Sequence, residues 1–161
     1  MSTGAQAVVA TLRAAGVRYV FTLSGNHVMP IFDAAIGSGL ELIHVRHEAA
    51  AVHMADAYAR LTGNVGIALV TGGPGHANAV GALYTALMAE SPVVLISGHA
   101  PTAELGRGSF QEMRQADIAA PLAKGSGVAR VLPGDLESAI RIAKAGTPGP
   151  VHLSIPQELL E

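Results

Sequence analysis

The sequence predicts an α/β fold in three layers, α/β/α, with a six-stranded, mainly parallel sheet. Three observations lead there. Short runs rich in Val, Ile and Leu alternate with amphipathic segments of helical period, the pattern of repeated βαβ units. Half of the residues are apolar but only 4% are aromatic, so the interior has to be built from Ala, Val, Leu and Ile, a mixture suited to buried parallel strands under close-packed helices. A chain of 161 residues fits one domain and is long enough to bury a substantial core.

Taken in order, Thr3-Gly4-Ala5-Gln6 has the spacing of a capping box, and Val8, Val9, Leu12 and Ala15 then recur on one helical face until Gly16. Arg18 to Leu23 reads as a strand and Pro30 to Ile36 as a short helix. Leu40 to Val45 is the next strand, followed by a helix from Glu48 to Arg60 that ends near Gly63. Val65 to Thr71 reads as a buried strand, Gly72-Gly73-Pro74-Gly75 as a tight loop, and Asn78 to Ala89 as a helix before the strand Val93 to Ser97. The polar, glycine-rich stretch from Gly98 to Ser126 predicts a long, partly irregular connection, a kind of segment that is often functional. Asp135 is placed as the cap of a helix with Leu136, Ile140 and Ala143 on one face, stopping at Gly146, and Val151 to Ile155 is the final strand. These runs locate five strands of the six; the short tail after Pro156 reads as a domain edge.

Composition excludes several classes of function. A net charge of −2, with ten Lys plus Arg scattered along the chain, leaves no basic stripe for a phosphate backbone, so no nucleic-acid partner is expected. With no Cys there is no disulfide, thiolate metal site or cysteine nucleophile. Met1 to Gly16 has neither a basic leader nor a long apolar core, and no run reaches membrane-spanning length; a soluble, cytoplasmic protein with no membrane partner is expected. Only 14% of residues are charged, which points to part of the surface being an interface.

Chemistry converges on Arg46-His47-Glu48. Glu48 falls at the C-terminal end of a strand, the edge at which open α/β sheets gather their ligands. An acid in the first turn of a helix also complements the helix dipole, so position alone leaves both readings open. Other motifs fail. Gly72-Gly73-Pro74-Gly75 lacks the Gly-Lys-Ser/Thr ending of a phosphate loop, and a dinucleotide fingerprint started at Gly73 meets Asn78 where it needs glycine. Among the seven histidines, His47 and His53 lie about 120° apart around a helix, and Ala51 stands where a zincin motif needs its second histidine; no metal ligands are assigned. Ser24, Ser97 and Ser109 lack the Gly-x-Ser-x-Gly setting of a nucleophile elbow.

One ordered set of motifs does cohere. Arg46-His47-Glu48, Met54 through Gly63, Val70-Thr71-Gly72-Gly73-Pro74-Gly75-His76-Ala77-Asn78-Ala79-Val80, Ser91-Pro92-Val93-Val94, Phe110-Gln111-Glu112, Thr147-Pro148-Gly149-Pro150-Val151 and Ile155-Pro156 together cover essentially the whole chain. They resemble the N-terminal pyrimidine-binding domain of thiamine diphosphate-dependent enzymes, in the acetolactate synthase and benzaldehyde lyase branches. The resemblance implies that residues 1–161 form that domain and that Glu48 hydrogen-bonds N1′ of the cofactor's aminopyrimidine, shifting it toward the imino tautomer that takes the thiazolium C2 proton. The demand on Glu48 is for a carboxyl that can pass a proton to a ring nitrogen.

The same resemblance implies that Ser24, Gly25, Thr71, Pro74 and Asn78 line the cofactor pocket, and that Asn26, Phe110 and Gln111 reach the substrate. Taken singly, Gly72 to Gly75 also reads as an ordinary turn, Asn78 as a helix cap, and Phe110 and Gln111 as a solvated loop. His27 departs from the synthase pattern. Acetolactate synthases typically carry Pro-Gly-Gly where this chain has Ser24-Gly25-Asn26, whereas benzaldehyde lyase has a histidine at the position of His27, which implies a proton relay during carboligation or its reversal.

In the family, Mg²⁺ and the diphosphate are held by a Gly-Asp-Gly segment and a downstream Asn pair in a separate domain, and Gly134-Asp135-Leu136 is not that motif. The resemblance therefore implies a chain inactive alone, a partner domain or subunit that binds the pyrophosphate, a homodimer, and small-molecule 2-oxo acid or aldehyde substrates. Two readings follow: the N-terminal catalytic domain of a carboligase or decarboxylase, including the corresponding subunit of a split 2-oxo acid decarboxylase, or a stand-alone, noncatalytic binding or assembly module.

Overall fold

The computed structural model describes residues 2–161; Met1, the first residue of the expected domain span, lies outside them. Six strands form one sheet in the order β2-β1-β3-β4-β6-β5, every neighbouring pair parallel. They are β1 (Tyr19–Thr22), β2 (Glu41–His44), β3 (Gly66–Val70), β4 (Val93–His99), β5 (Gly125–Val128) and β6 (Val151–Pro156). The helices are α1 (Gly4–Ala14), α2 (Met29–Ala35), α3 (Glu48–Thr62), α4 (Pro74–Val80), α5 (Leu83–Met88), α6 (Gln115–Ala119) and α7 (Gly134–Lys144).

Alternation along the strands divides the core into two layers. Ile67 and Leu69 of β3, with Val94 and Ile96 of β4, face α1, α2 and α7; Ala68, Val70, Val93 and Leu95 face α3, α4 and α5. Leu69, Leu95 and Ile96 are at most 1% exposed, and burial of each such side chain contributes roughly 1.5–3 kcal/mol. The three-layer α/β/α class read from the sequence is the observed one.

Local signals account for the element ends. The Thr3 hydroxyl accepts from Gln6 N at 3.2 Å while the Gln6 side chain accepts from Thr3 N at 3.1 Å, the reciprocal capping box that starts α1. α3 stops at Gly63, whose φ of 72° puts it in the left-handed region that closes helices. The tail after Pro156 is docked on the domain: Leu160 is buried and its carbonyl accepts from Ala5 N at 3.0 Å.

Two expectations need correction. The helix placed at Asn78 to Ala89 begins four residues earlier, at Pro74, and is two short helices, α4 and α5. Proline suits the first helical turn, where its missing N–H is no loss, so the expected loop is partly helix. Asp135 lies inside α7 and not at its cap; its carboxylate accepts from the N–H groups of Arg130 and Val131 at 2.6 and 2.9 Å, closing the turn before the helix. The connection after β4 is partly irregular, as expected; it contains α6 and leads into the sixth strand, β5, which the apolar runs did not locate.

The strand order reverses between β1 and β3: from β1 the chain moves outward to β2, then crosses back to β3 and continues the other way. A crevice at the C-terminal ends of β1 and β3 is the place where such sheets bind ligands. The loops after β1 and β3 and the start of α3 meet there.

Candidate functional site

Glu48 is the first residue of α3, with His47 as N-cap, and is 8% exposed. Its Oε2 accepts a hydrogen bond from Asn78 Nδ2 of α4 at 3.0 Å. Among the described residues no side-chain or loop donor reaches its other oxygen, Oε1. Gly75, in the first turn of α4, lies against this carboxylate: a Cβ added there would sit 3.5 Å from Glu48 Oε1 and 2.8 Å from Thr71 Cγ2. A Cβ on Gly25, in the loop after β1, would fall 2.4 Å from Thr71 Cβ. Both glycines therefore permit backbone to close around Thr71, which any side chain would prevent.

Thr71 links the remaining residues. Its hydroxyl donates to Gln111 Oε1 at 3.3 Å and lies 3.4 Å from His27 Nδ1. His27 is buried on the 3₁₀ turn Asn26–Val28, with its Cβ against Gly98 of β4 and its ring 5.9 Å from the ring of Phe110. Burial first, and then the neighbouring His99, hold His27 below the usual histidine pKa, against the raising effect of hydrogen bonds with Gln111 and Phe110; it is neutral at pH 7. Gln111 has φ of 59°, an uncommon conformation for a residue with a side chain and one that collects at functional segments. Phe110 is 64% exposed, and Ser24, Asn26, Pro74 and Asn78 are also exposed, so the rim of the crevice is open.

The structure thus brings Glu48, Asn78, Thr71, Gly25, His27, Phe110 and Gln111 into one connected cluster. Ser24, Asn26 and Pro74 border it through the backbone, and none of their side chains makes a hydrogen bond to it among the described residues.

Sequence reasoning missed the layer beneath. Gln115, 1% exposed at the start of α6, accepts from Gly73 N at 2.8 Å through Oε1 and donates through Nε2 to Gly98 O at 3.0 Å and Ser154 Oγ at 2.7 Å. Ser154 in turn meets His152 Nε2 at 3.1 Å, and His152 Nδ1 meets Ser126 Oγ at 2.8 Å, whose hydroxyl donates to Ala116 O at 2.8 Å. These bonds order one another: Ser126 has given its proton to a carbonyl, so His152 Nδ1 donates to it, and His152 Nε2 accepts from Ser154. His76 lies beside them, its ring 4.5 Å from that of His152, with Nδ1 2.9 Å from Ser97 Oγ. A cavity of about 690 Å³ opens next to Gln115, lined by His99, Leu105, Glu112, Arg114 and Val128, and does not include Glu48.

Burial pushes His76 down to about 4 and His152 down to about 3. Both titrate near 6.5 when unfolded, so the unfolded chain binds more protons below that pH and stability rises with pH. The stabilisation is complete above about pH 6.5 and is lost as pH falls toward the folded values, at about 1.4 kcal/mol per pH unit for each histidine. Urea unfolding between pH 7 and 5 is expected to show this slope, reduced in His152→Asn; a flat profile would contradict neutral burial.

Comparison with known proteins bears on this geometry. Residues 2–118 match the family described as thiamine pyrophosphate enzyme, N-terminal TPP binding domain, thiamine pyrophosphate being another name for thiamine diphosphate. The chain is 45% identical over 161 residues to 2-hydroxyacyl-CoA lyase 2 of Danio rerio, covering 98% of this chain and 26% of that protein. It is 46% identical over 161 residues to the acetolactate synthase large subunit of Haemophilus influenzae, covering 97% and 28%. To the acetolactate synthase isozyme 3 large subunit of Escherichia coli it is 42% identical over 165 residues, covering 99% and 29%. It therefore spans about a quarter of the length of the curated relatives it matches. With the motifs, the parallel sheet and the match over residues 2–118 in agreement, the chain belongs to the family of thiamine pyrophosphate enzyme N-terminal domains.

Proposed function

We propose that residues 1–161 form the aminopyrimidine-binding half of a thiamine diphosphate site, as the N-terminal catalytic domain of an acetolactate synthase-like carboligase or decarboxylase acting on 2-oxo acids or aldehydes. The observation that carries the proposal is Glu48: nearly buried, anchored through one oxygen by Asn78, and with its other oxygen open. A carboxylate that serves only a helix dipole has no need of burial between two helices or of a partner from α4.

The residues present fit the group. Gly25 and Gly75 leave room where a Cβ would collide with Thr71, and the free carboxylate oxygen is an acceptor for a ring N–H. When bound, thiamine diphosphate supplies the electron sink for breaking or making a bond next to a carbonyl carbon. Glu48 would share a proton with a ring nitrogen, while Asn78 fixes the carboxylate and Thr71 with Gly25 and Gly75 shapes the wall. Neutral His27, beside Phe110 and Gln111, is suited to relay a proton on the substrate side, and Asn26 borders the same loop.

The diphosphate and its Mg²⁺ would be held by a domain or subunit outside this chain, and pairing into a homodimer would complete the site. Leu61 on α3 and Tyr84 and Met88 on α5, 86%, 53% and 62% exposed, are apolar side chains that such pairing could cover. The names of the relatives include both a lyase and synthases, and His27 favours a lyase-like course over acetolactate formation itself.

Titration calorimetry of thiamine diphosphate with Mg²⁺ tests the half-site. Binding is expected when the chain is mixed with the pyrophosphate-binding half, and not to the chain alone. Binding of equal strength to the chain alone, or none in the mixture, would contradict it.

A further inference from the structure

We infer that Gln115 is a positioning residue for the cofactor-facing loop: by holding the Gly73 N–H it sets where α4 begins, and through α4 it sets Asn78 against Glu48. The inference rests on the reading of Glu48 proposed above and extends it to a residue that touches neither substrate nor cofactor.

The loop between β3 and α4 has little else to fix it. Gly73 is the N-cap of α4 with φ of 56° and no side chain to cap the helix. Its face is filled by Gln111, whose Cβ lies 2.8 Å from where a Gly73 Cβ would be, and a Cβ on Gly72 would meet Gly98 O at 2.8 Å. Packing thus presses the loop from two sides, while the Gln115 Oε1 to Gly73 N bond, at 2.8 Å, is the polar contact that sets its level.

The amide of Gln115 can take only one orientation. Gly98 offers a carbonyl and Gly73 an N–H, so Nε2 must face the first and Oε1 the second. Ser154 confirms that orientation by accepting from Nε2 while directing its own proton to His152. His152 and Ser126 return the chain of bonds to Ala116, the next residue of α6. One buried side chain therefore ties together the ends of β3, β4 and β6, with every donor matched to an acceptor. From Gly73 the helix runs as a rigid unit to Asn78, the donor to Glu48.

Two variants separate holding Gly73 from general support of the core. Gln115→Met keeps the volume and loses the acceptor and both donors. Gln115→Glu keeps an acceptor for Gly73 in either protonation state and gives up at least one of the two donors to Gly98 and Ser154. Both are expected to lower the melting temperature. In the cofactor-free full protein, amide hydrogen exchange at Gly73 should speed up about tenfold in Gln115→Met and stay within about threefold of wild type in Gln115→Glu, as expected for one lost hydrogen bond.

In the holoenzyme, exchange of the thiamine C2 proton at saturating cofactor should slow about tenfold in Gln115→Met and recover in Gln115→Glu. Gly73 protection retained in Gln115→Met, or equal losses in both variants, would overturn the inference. Glu48→Gln run alongside keeps the two readings apart: a wild-type rate there removes the role of Glu48, while lost Gly73 protection in Gln115→Met would still uphold the holding of the loop.

Discussion

Glu48→Gln is expected to lower turnover by about two to four orders of magnitude while cofactor affinity stays within a few-fold of wild type. Glutamine has the same shape, and its amide oxygen can still accept from Asn78, so the seat beside Gly75 is retained. What is lost is an oxygen able to take and return a proton. The fold should change little, because removing a charge from the first turn of α3 costs about 0.3–1 kcal/mol of dipole stabilisation. Steady-state kinetics of the full protein, with calorimetry of cofactor binding, checks both parts. A loss of affinity equal to the loss of turnover would mean that Glu48 serves binding alone.

The largest effect on stability is expected at Gly66. A Cβ there would lie 2.0 Å from Ala55 O and 2.6 Å from Ala55 C, both backbone atoms in the middle of α3. Neither can rotate away, and Gly66 sits on β3 between β1 and β4, so the strand cannot retreat. Gly66→Ala is expected to destabilise the fold by about 3 kcal/mol, at the upper end for overpacking, read from the urea midpoint. The same contact sets how closely α3 lies on the sheet, so a variant that still folds should also carry Glu48 in a shifted position. An unchanged midpoint would contradict the close packing of α3 on β3.

The strands buried on both faces were legible because their signal is local. Val65 to Val70 and Val93 to Ile96 carry no polar side chain, and the observed β3 and β4 lie within two residues of the expected bounds, Val65 to Thr71 and Val93 to Ser97. β5 was not legible. Gly125-Ser126-Gly127-Val128 has a single β-branched residue, and it forms a strand because it can pair with β6 at the sheet edge. Glu48 could be placed at a strand end from periodicity, but its partner could not, since Asn78 reaches it from another helix 30 residues away.

Gln115 shows the limit more sharply. Its three partners lie 17, 39 and 42 residues distant, and nothing in its neighbourhood marks it as buried. Pro74, by contrast, carried a readable signal for a helix start that the glycines on either side obscured.

Exchange of the C2 proton of bound thiamine diphosphate in the assembled protein, compared between wild type and Glu48→Gln, tests the central claim most directly, because it isolates proton handling from substrate binding and product release. The account predicts rapid exchange in wild type and a rate at least about a hundredfold lower in the variant, with bound cofactor at the same occupancy. Equal rates in the two proteins would contradict it and leave Glu48 as a buried helix-start acid with a structural role.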